Sequence, residues 1–289
     1  MGRITTRRRV TRYVLGERIS RREDHLTVEE PLEIRVGGRP LAVTMRTPGH
    51  DVELALGLLV SEGVVRDRDD VIAARHCAGE DAGSGEYNVL DVALAPGVEV
   101  PAEARHALTM TSACGLCGKD SIEAVRARSV HPVQGDRVTV DPAWLAGLPD
   151  RMRESQAMFE RTGGLHAAAL VDVASDQILA VREDVGRHNA VDKVVGWAVR
   201  EGRLPLSGTV LVLSGRAGFE LVQKASMAGI PVVASVSAPS SLAVELADEV
   251  GLTLAGFVRG ASMVVYAGDE RIRDAAPARA PRDGEEVPA

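Results

Sequence analysis

The sequence predicts an α/β protein, a layered α/β domain behind a smaller β-rich N-terminal subdomain. Three observations predict it. From about residue 165, short β-branched runs alternate with runs of helical spacing, the pattern of strands and covering helices. Before about residue 110, apolar residues alternate one-on, one-off between glycine turns. The 289 residues, 45% hydrophobic and 26% charged, suffice for a sizeable core.

The elements follow in order. PLEIRVGGRPLAVTMRT (31–47) reads as a hairpin turning at Gly37-Gly38. Pro48 to Asp51 introduce a helix with Val52, Ala55, Leu56 and Leu59 on one face, closed by Gly63. Strands are expected at Val71–His76 and Glu86–Ala95, around the loop AGEDAGSGE, and again at His106–Thr111 before a helix over Ser121–Arg128. Asp141-Pro142 is a helix start, an N-cap followed by proline in the first turn. A further helix is expected over Arg151–Arg161, stopping at Gly163-Gly164. LHAAALVDV and ILAVRED form strands around Ser175-Asp176, and a helix follows through Ala190–Arg200. Strand TVLVLS, helix FELVQKASMAG, strand PVVASVS, helix SLAVELADEV and strand LTLAGFV complete the series. This alternation implies a largely parallel sheet. The chain divides into a basic flexible arm (1–24), a β-rich subdomain (25–110), an α/β domain (111–267) and a disordered tail (268–289) rich in Pro, Ala and charge.

Charge narrows the function classes. The net charge of −7 disfavours general nucleic-acid binding, and no apolar run approaches the ~18 residues of a membrane span. The N-terminus is basic but lacks the apolar stretch of a secretory signal, so a cytoplasmic location is expected, with no membrane and no nucleic-acid partner. Residues 1–22 carry eight arginines and one acid, read as a solvated arm or a contact for an anionic partner. Arginine outnumbers lysine 31 to 3. Lys119, Lys193 and Lys224 each sit in a motif-dense segment, where a compact ammonium suits a specific task.

In parallel α/β sheets, ligands bind beyond the carboxyl ends of the strands. The loops expected there are EDVGRHN, SGRAG, VSAPSS and FVRG. Their glycines allow close backbone approach. Ser214, Ser240 and Ser241 can hydrogen-bond, and Arg187, Arg216 and Arg259 can grip phosphate. A phosphorylated, nucleotide-like ligand is expected. The competing reading leaves the arginines as solvated charges, His188 as a helix cap, and Glu183 and Asp184 as ion-pair partners.

Cys114 and Cys117 form a Cys-x-x-Cys loop, while Cys77 reads as a buried small hydrophobe. Structural zinc needs four ligands, and His76, Cys77 and His131 lack paired spacing. A deaminase zinc site needs His-x-Glu and Pro-Cys-x-x-Cys, neither of which occurs. A thioredoxin-like redox role fits the spacing but has no other support. A sulfur carrier fits as well: Gly115 and Gly118 loosen the loop, and Lys119 with the following helix lowers the thiol pKa. The residues alone leave the redox and carrier readings both open.

Taken together, EEPLEIRVGG, MRTPGHDVELALGLLVSEGVV, SACGLCGK, MFERTGGLHAAALVD, EDVGRHNAVDKVVG, SGRAGFELVQKA, SAPSSLAVELA and GFVRG resemble the formate dehydrogenase accessory sulfurtransferases, the FdhD family, over nearly all of residues 29–266. The resemblance implies a cytidine deaminase-like fold that has lost the zinc site, so no metal ligand is assigned, and a homodimer. It implies that a cysteine desulfurase loads the loop with persulfide sulfur. The sulfur then passes to the bis-guanine-dinucleotide molybdenum cofactor, Mo-bis(molybdopterin guanine dinucleotide), bound as substrate and destined for formate dehydrogenase. Carried over, Cys114 is the persulfide carrier and Cys117 its relay or resolving partner. Phe257, Val258, Arg259, Gly260, Ala261 and Ser262 form the cofactor-binding segment, although Val258 and Ala261 depart from its usual small-polar character. Ser214, Gly215, Arg216, Arg187, His188 and Lys224 join the expected cofactor site from the loop reading.

Overall fold

The computed structural model describes residues 4–77, 87–102, 104 and 129–273. The expected strand at His106–Thr111, the helix over Ser121–Arg128, the Cys114–Cys117 loop and the end of the tail from 274 lie outside the described residues. So does the AGEDAGSGE loop, apart from its flanks.

The N-terminal residues expected to be a flexible arm instead form a hairpin. Strands β1 (Thr5–Arg12) and β2 (Ser20–Thr27) pair antiparallel from Thr5↔Thr27 to Arg12↔Ser20. In this register Arg8 faces Asp24 and Arg9 faces Glu23, so opposite charges meet across the ladder. A count of arginines in sequence order does not show that pairing.

Strands β3 (Glu30–Val36) and β4 (Arg39–Arg46) form the expected hairpin, with Gly37 and Gly38 at φ 57° and 77°. Those dihedrals suit a primed turn and favour glycine. Helix α1 (Asp51–Ser61) follows. Strands β5 (Val71–His76) and β6 (Val89–Leu94) complete a sheet of order β4-β3-β6-β5, in which β3 and β6 run parallel.

Asp141 caps α2 (Pro142–Glu154) as expected, accepting from the Ala143 and Trp144 N–H groups at 2.9 Å each. The helix expected over Arg151–Arg161 is instead divided. Its first residues finish α2, and α3 (Ala157–Thr162) starts afresh because the Glu183 carboxylate accepts from Met158 N (3.1 Å) and Phe159 N (2.7 Å). Gly163 ends α3 at φ 65°.

Strands β7 (His166–Asp172) and β8 (Gln177–Asp184) precede α4 (Arg187–Arg200). Then come β9 (Thr209–Leu213), α5 (Phe219–Met227), β10 (Val232–Ser235), α6 (Ser241–Val250), β11 (Thr253–Arg259) and β12 (Ser262–Ala267). The sheet order is β12-β11-β10-β9-β7-β8. In this sheet only β9, β10 and β11 pair in parallel, which corrects the largely parallel expectation. The turns that join β7 to β8 and β11 to β12 are too short for a crossover, so those pairs must be antiparallel. The tail also begins later than expected. Arg271 is buried, donating to Val133 O at 2.9 Å, and Ile272 bridges Val140, which keeps the chain packed to residue 273.

The molecule is layered. Helix α2 packs Leu145, Leu148 and Met152 on one face of the six-stranded sheet. The other face meets α4, α5 and α6, and a single apolar cluster continues from there through α1 to Leu32, Ile34, Leu90 and Val92 of the smaller sheet. The two sheets therefore share one core. At its centre α1 crosses α4 so closely that a Cβ on Gly57 would strike the Asp192 backbone, and one on Gly196 the Glu53 backbone.

Gly196→Ala should therefore force α1 and α4 apart. A loss of about 1–3 kcal/mol or more is expected, read as a lower urea midpoint, whereas Gly147→Ala, with open space around it, should cause no such loss.

Candidate functional site

Strands β9, β10 and β11 are parallel, so the loops after them leave the sheet at one edge. Strand β8 points the same way, because it opposes β7 and β7 opposes β9. EDVGRHN therefore reaches the same edge as SGRAG, VSAPSS and the β11–β12 turn. The loops are stitched together. Ser214 Oγ accepts from Ala167 N at 2.8 Å, and Ser235 Oγ donates to Gly215 O at 2.5 Å. Ser240 N donates to Ala217 O at 3.0 Å, and Phe257 N to Ser237 O at 3.2 Å.

The cations stand on this frame. Arg216 and Arg259 are exposed, and Arg187 is half-buried at the head of α4. The Arg187 Nε is shut away from solvent with no hydrogen-bond partner among the described residues. His188 Nε2 lies 3.0 Å from Glu220 Oε2, and that hydrogen bond is the main cause holding the Glu220 carboxyl below its usual range. His188 is therefore paired across to α5.

Beneath the SGRAG loop lies a residue that the sequence reading did not select, His166. A Cβ on Gly215 would come within 3.1 Å of His166 Nδ1, so a glycine there lets the loop pass over the ring. Burial lowers the His166 pKa, and the charges of Arg187 and His188 lower it further. Its only sequence signal is a polar residue opening the apolar run LHAAALVDV.

In the segment 257–262, Phe257 is exposed in left-handed backbone (φ 52°), and Arg259, Gly260, Ala261 and Ser262 are exposed as well. FVRG is not a loop beyond the strand, as expected. It straddles the end of β11 and its hairpin turn into β12, and Val258 points into the core with no exposure. Val258 thus offers a ligand only its backbone.

Lys224 also departs from expectation. It is buried on α5, with Nζ 2.8 and 2.9 Å from the two carboxylate oxygens of Asp192, to which Ser61 Oγ adds a bond at 2.9 Å. Burial pushes the Asp192 carboxyl up while Lys224 pulls it down. Lys193 is likewise buried, 2.7 Å from Asp184 Oδ2 and donating to Thr47 O at 2.9 Å. The two described lysines are thus structural ion pairs. The fully buried Asp184 also accepts from Thr47 N (3.1 Å), Gly186 N (2.8 Å) and Asn189 Nδ2 (3.0 Å). These bonds set the turn that carries Arg187 and His188, and they start α4 at Arg187 rather than Ala190. Cys77 is half-buried after β5, not in the core. Among the described residues no group of three His, Cys, Asp or Glu side chains is placed to hold a metal.

A second buried carboxylate ties the small sheet's helix to the large sheet. Burial pushes the Glu53 carboxyl up, but bonds from His50 and Arg182 more than reverse this and hold it at about 2.

The model of the FdhD/NarQ family matches residues 27–273. The chain belongs to the FdhD/NarQ family. A sulfur carrier protein FdhD from Nocardia farcinica is 57% identical over 273 residues, covering 94% of this chain and 96% of that one. Another, from Mycobacterium tuberculosis, is 54% identical over 277 residues, covering 94% and 100%. A solved structure assigned as a formate dehydrogenase accessory protein, from Desulfotalea psychrophila, superposes with a TM-score of 0.73 at 22% identity, covering 94% and 100%. This likeness shows that the mixed α/β fold is the one seen there. Of this FdhD/NarQ chain, no described helix is long and apolar enough to cross a membrane.

Two outcomes follow for stability. Lys193→Met leaves Asp184 buried without its counter-ion and should cost about 3–5 kcal/mol, seen as a large drop in urea midpoint. Glu53 titrates at about 2 when folded against 4.5 unfolded, so its stabilisation is present above 4.5 and is lost as pH falls toward 2. That contribution is about 3 kcal/mol. The acid side of the urea-midpoint profile should flatten by that share in Glu53→Gln.

Proposed function

We propose that this FdhD/NarQ protein is a sulfurtransferase, a sulfur carrier that serves formate dehydrogenase by sulfurating its molybdenum cofactor. The observation that carries the reading is the convergence of four loops, with Arg187, Arg216 and Arg259, on one sheet edge. The relatives' name, sulfur carrier protein, supports the sulfur chemistry.

The edge suits an anionic dinucleotide, which is the substrate here. The Arg187 Nε has an unused N–H, Arg216 and Arg259 offer bidentate forks, and a Cβ on Gly260 would meet nothing within 4 Å. Gly260 lets phosphate oxygens approach the backbone. Phe257 presents an exposed ring for stacking against a base.

Cys114 does the sulfur chemistry. Its thiolate attacks the outer sulfur of a persulfide on a cysteine desulfurase. The donor's S–S bond breaks, the donor cysteine leaves as thiolate, and Cys114 holds –S–SH without net electron change. Delivery as sulfide takes two electrons. Cys117 supplies them by attacking the inner Cys114 sulfur, closing a Cys114–Cys117 disulfide as hydrosulfide passes to the molybdenum. A cellular thiol reductant then reopens the pair. In this reading the chain works as a homodimer in the cytoplasm, where free thiols persist.

The test combines intact mass with activity in cells. After incubation with a desulfurase and cysteine, the wild type should gain one sulfur, about 32 Da, and Cys114→Ala should gain none. Cys114→Ala should also abolish formate dehydrogenase activity when it replaces the wild type in cells. An undiminished adduct on the variant overturns the assignment of Cys114. Full activity in cells with that variant would make the protein a cofactor escort instead.

A further inference from the structure

We propose that His166 is a proton-linked phosphate ligand: it takes up a proton as the diphosphate of a guanine nucleotide settles at the loop edge, and releases it when the nucleotide leaves. This rests on the function proposed above, because it assumes that a guanylated cofactor occupies the edge.

The geometry isolates the imidazole. His166 opens β7, directly across the ladder from Asp184. The Asp184 carboxylate is shared among Lys193, Thr47, Gly186 and Asn189, and its charge raises the His166 pKa, but by less than burial and the neighbouring positive charges lower it. On the other side the chain at Gly215 lies against Nδ1 and Cε1, where a Cβ would come within 3.1 and 3.2 Å. From α4, Arg187 and His188 place positive charge on the ring. Arg216 stands in the loop above and is exposed. Neither ring nitrogen of His166 has a hydrogen-bond partner among the described residues. His166 is thus an imidazole without a hydrogen-bond partner among the described residues, within range of the Arg187 charge.

With the edge empty, burial above all, with Arg187 and His188 beside it and Asp184 opposing, holds His166 below its usual 6.5, so the ring is mainly neutral at neutral pH. A bound diphosphate reverses the sign of the local field. It offsets the Arg187 charge and offers oxygens as acceptors for a second ring N–H. The bound ring therefore prefers the imidazolium. His188 is the weaker candidate for this switch, because its ring is already engaged by Glu220. The neutral ring spares the empty edge a positive charge beyond those of its three arginines, and the protonated ring adds a donor when the anion is present. Loss of that proton favours handing the nucleotide on.

The test uses the full chain and GDP as the probe. Calorimetric titrations at neutral pH, in buffers of different ionisation enthalpy, should show uptake of close to one proton. Affinity should rise as pH falls from about 8 to about 6, by up to about tenfold per unit. His166→Asn keeps an N–H donor but cannot titrate, so the ring's share of the uptake and of the pH dependence should disappear, leaving only that of the GDP terminal phosphate, which titrates at about 6. Histidine ring NMR on the wild type gives a second readout that needs no variant: the His166 ring should pass from neutral to imidazolium on adding GDP. Equal proton uptake in wild type and His166→Asn, or a ring that stays neutral with GDP bound, overturns the inference while leaving the proposed function standing. A wild type that binds no GDP overturns the guanylated-cofactor reading itself.

Discussion

The buried pair between Asp184 and Lys193 is the interaction on which the rest of the structure depends. Both side chains are nearly or wholly removed from solvent, at 0% and 1% exposure. Desolvating two charges costs several kcal/mol each, and their attraction alone rarely repays it. Here the carboxylate is also fed by two backbone N–H groups and an amide, and the ammonium by two carbonyl oxygens. The partners come from the end of β8, the start of α4 and the chain just after β4. One carboxylate thus joins the small sheet to the large one and shapes the turn that presents Arg187 and His188.

A second constraint acts on the same joint. Helices α1 and α4 meet backbone to backbone at Gly57 and Gly196. That closeness brings Ser61 within 2.9 Å of Asp192, and Glu53 within reach of Arg182 and Arg200. Charges that look surface-bound in the sequence are consequently internal. The division of cation types follows from this. The compact ammonium groups of Lys193 and Lys224 fill narrow buried sites, while the planar guanidinium groups of Arg216 and Arg259 stay exposed at the edge, where a ligand can be gripped by a fork. The loop edge is therefore a set of exposed or unsatisfied donors on a frame whose own polar groups are satisfied.

The sequence by itself determined whatever depends on near neighbours in the chain. The Gly37-Gly38 turn, the cap at Asp141, strand β5 and the strand–helix series after residue 165 all follow from local dihedral preference and apolar period. So does the set of glycine- and arginine-bearing loops, because turn chemistry is written in consecutive residues. Tertiary structure alone decided what depends on register and on segments far apart. It paired Arg8 and Arg9 of β1 with the acids of β2, set β7 antiparallel to β9, and turned Val258 and Lys224 inward. It also buried Arg271 against Val133 and set His166 beneath Gly215. The physical reason is that a side chain's charge, exposure and partners are fixed by what lies across a ladder or a helix crossing. Periodicity along one strand carries no information about that neighbour.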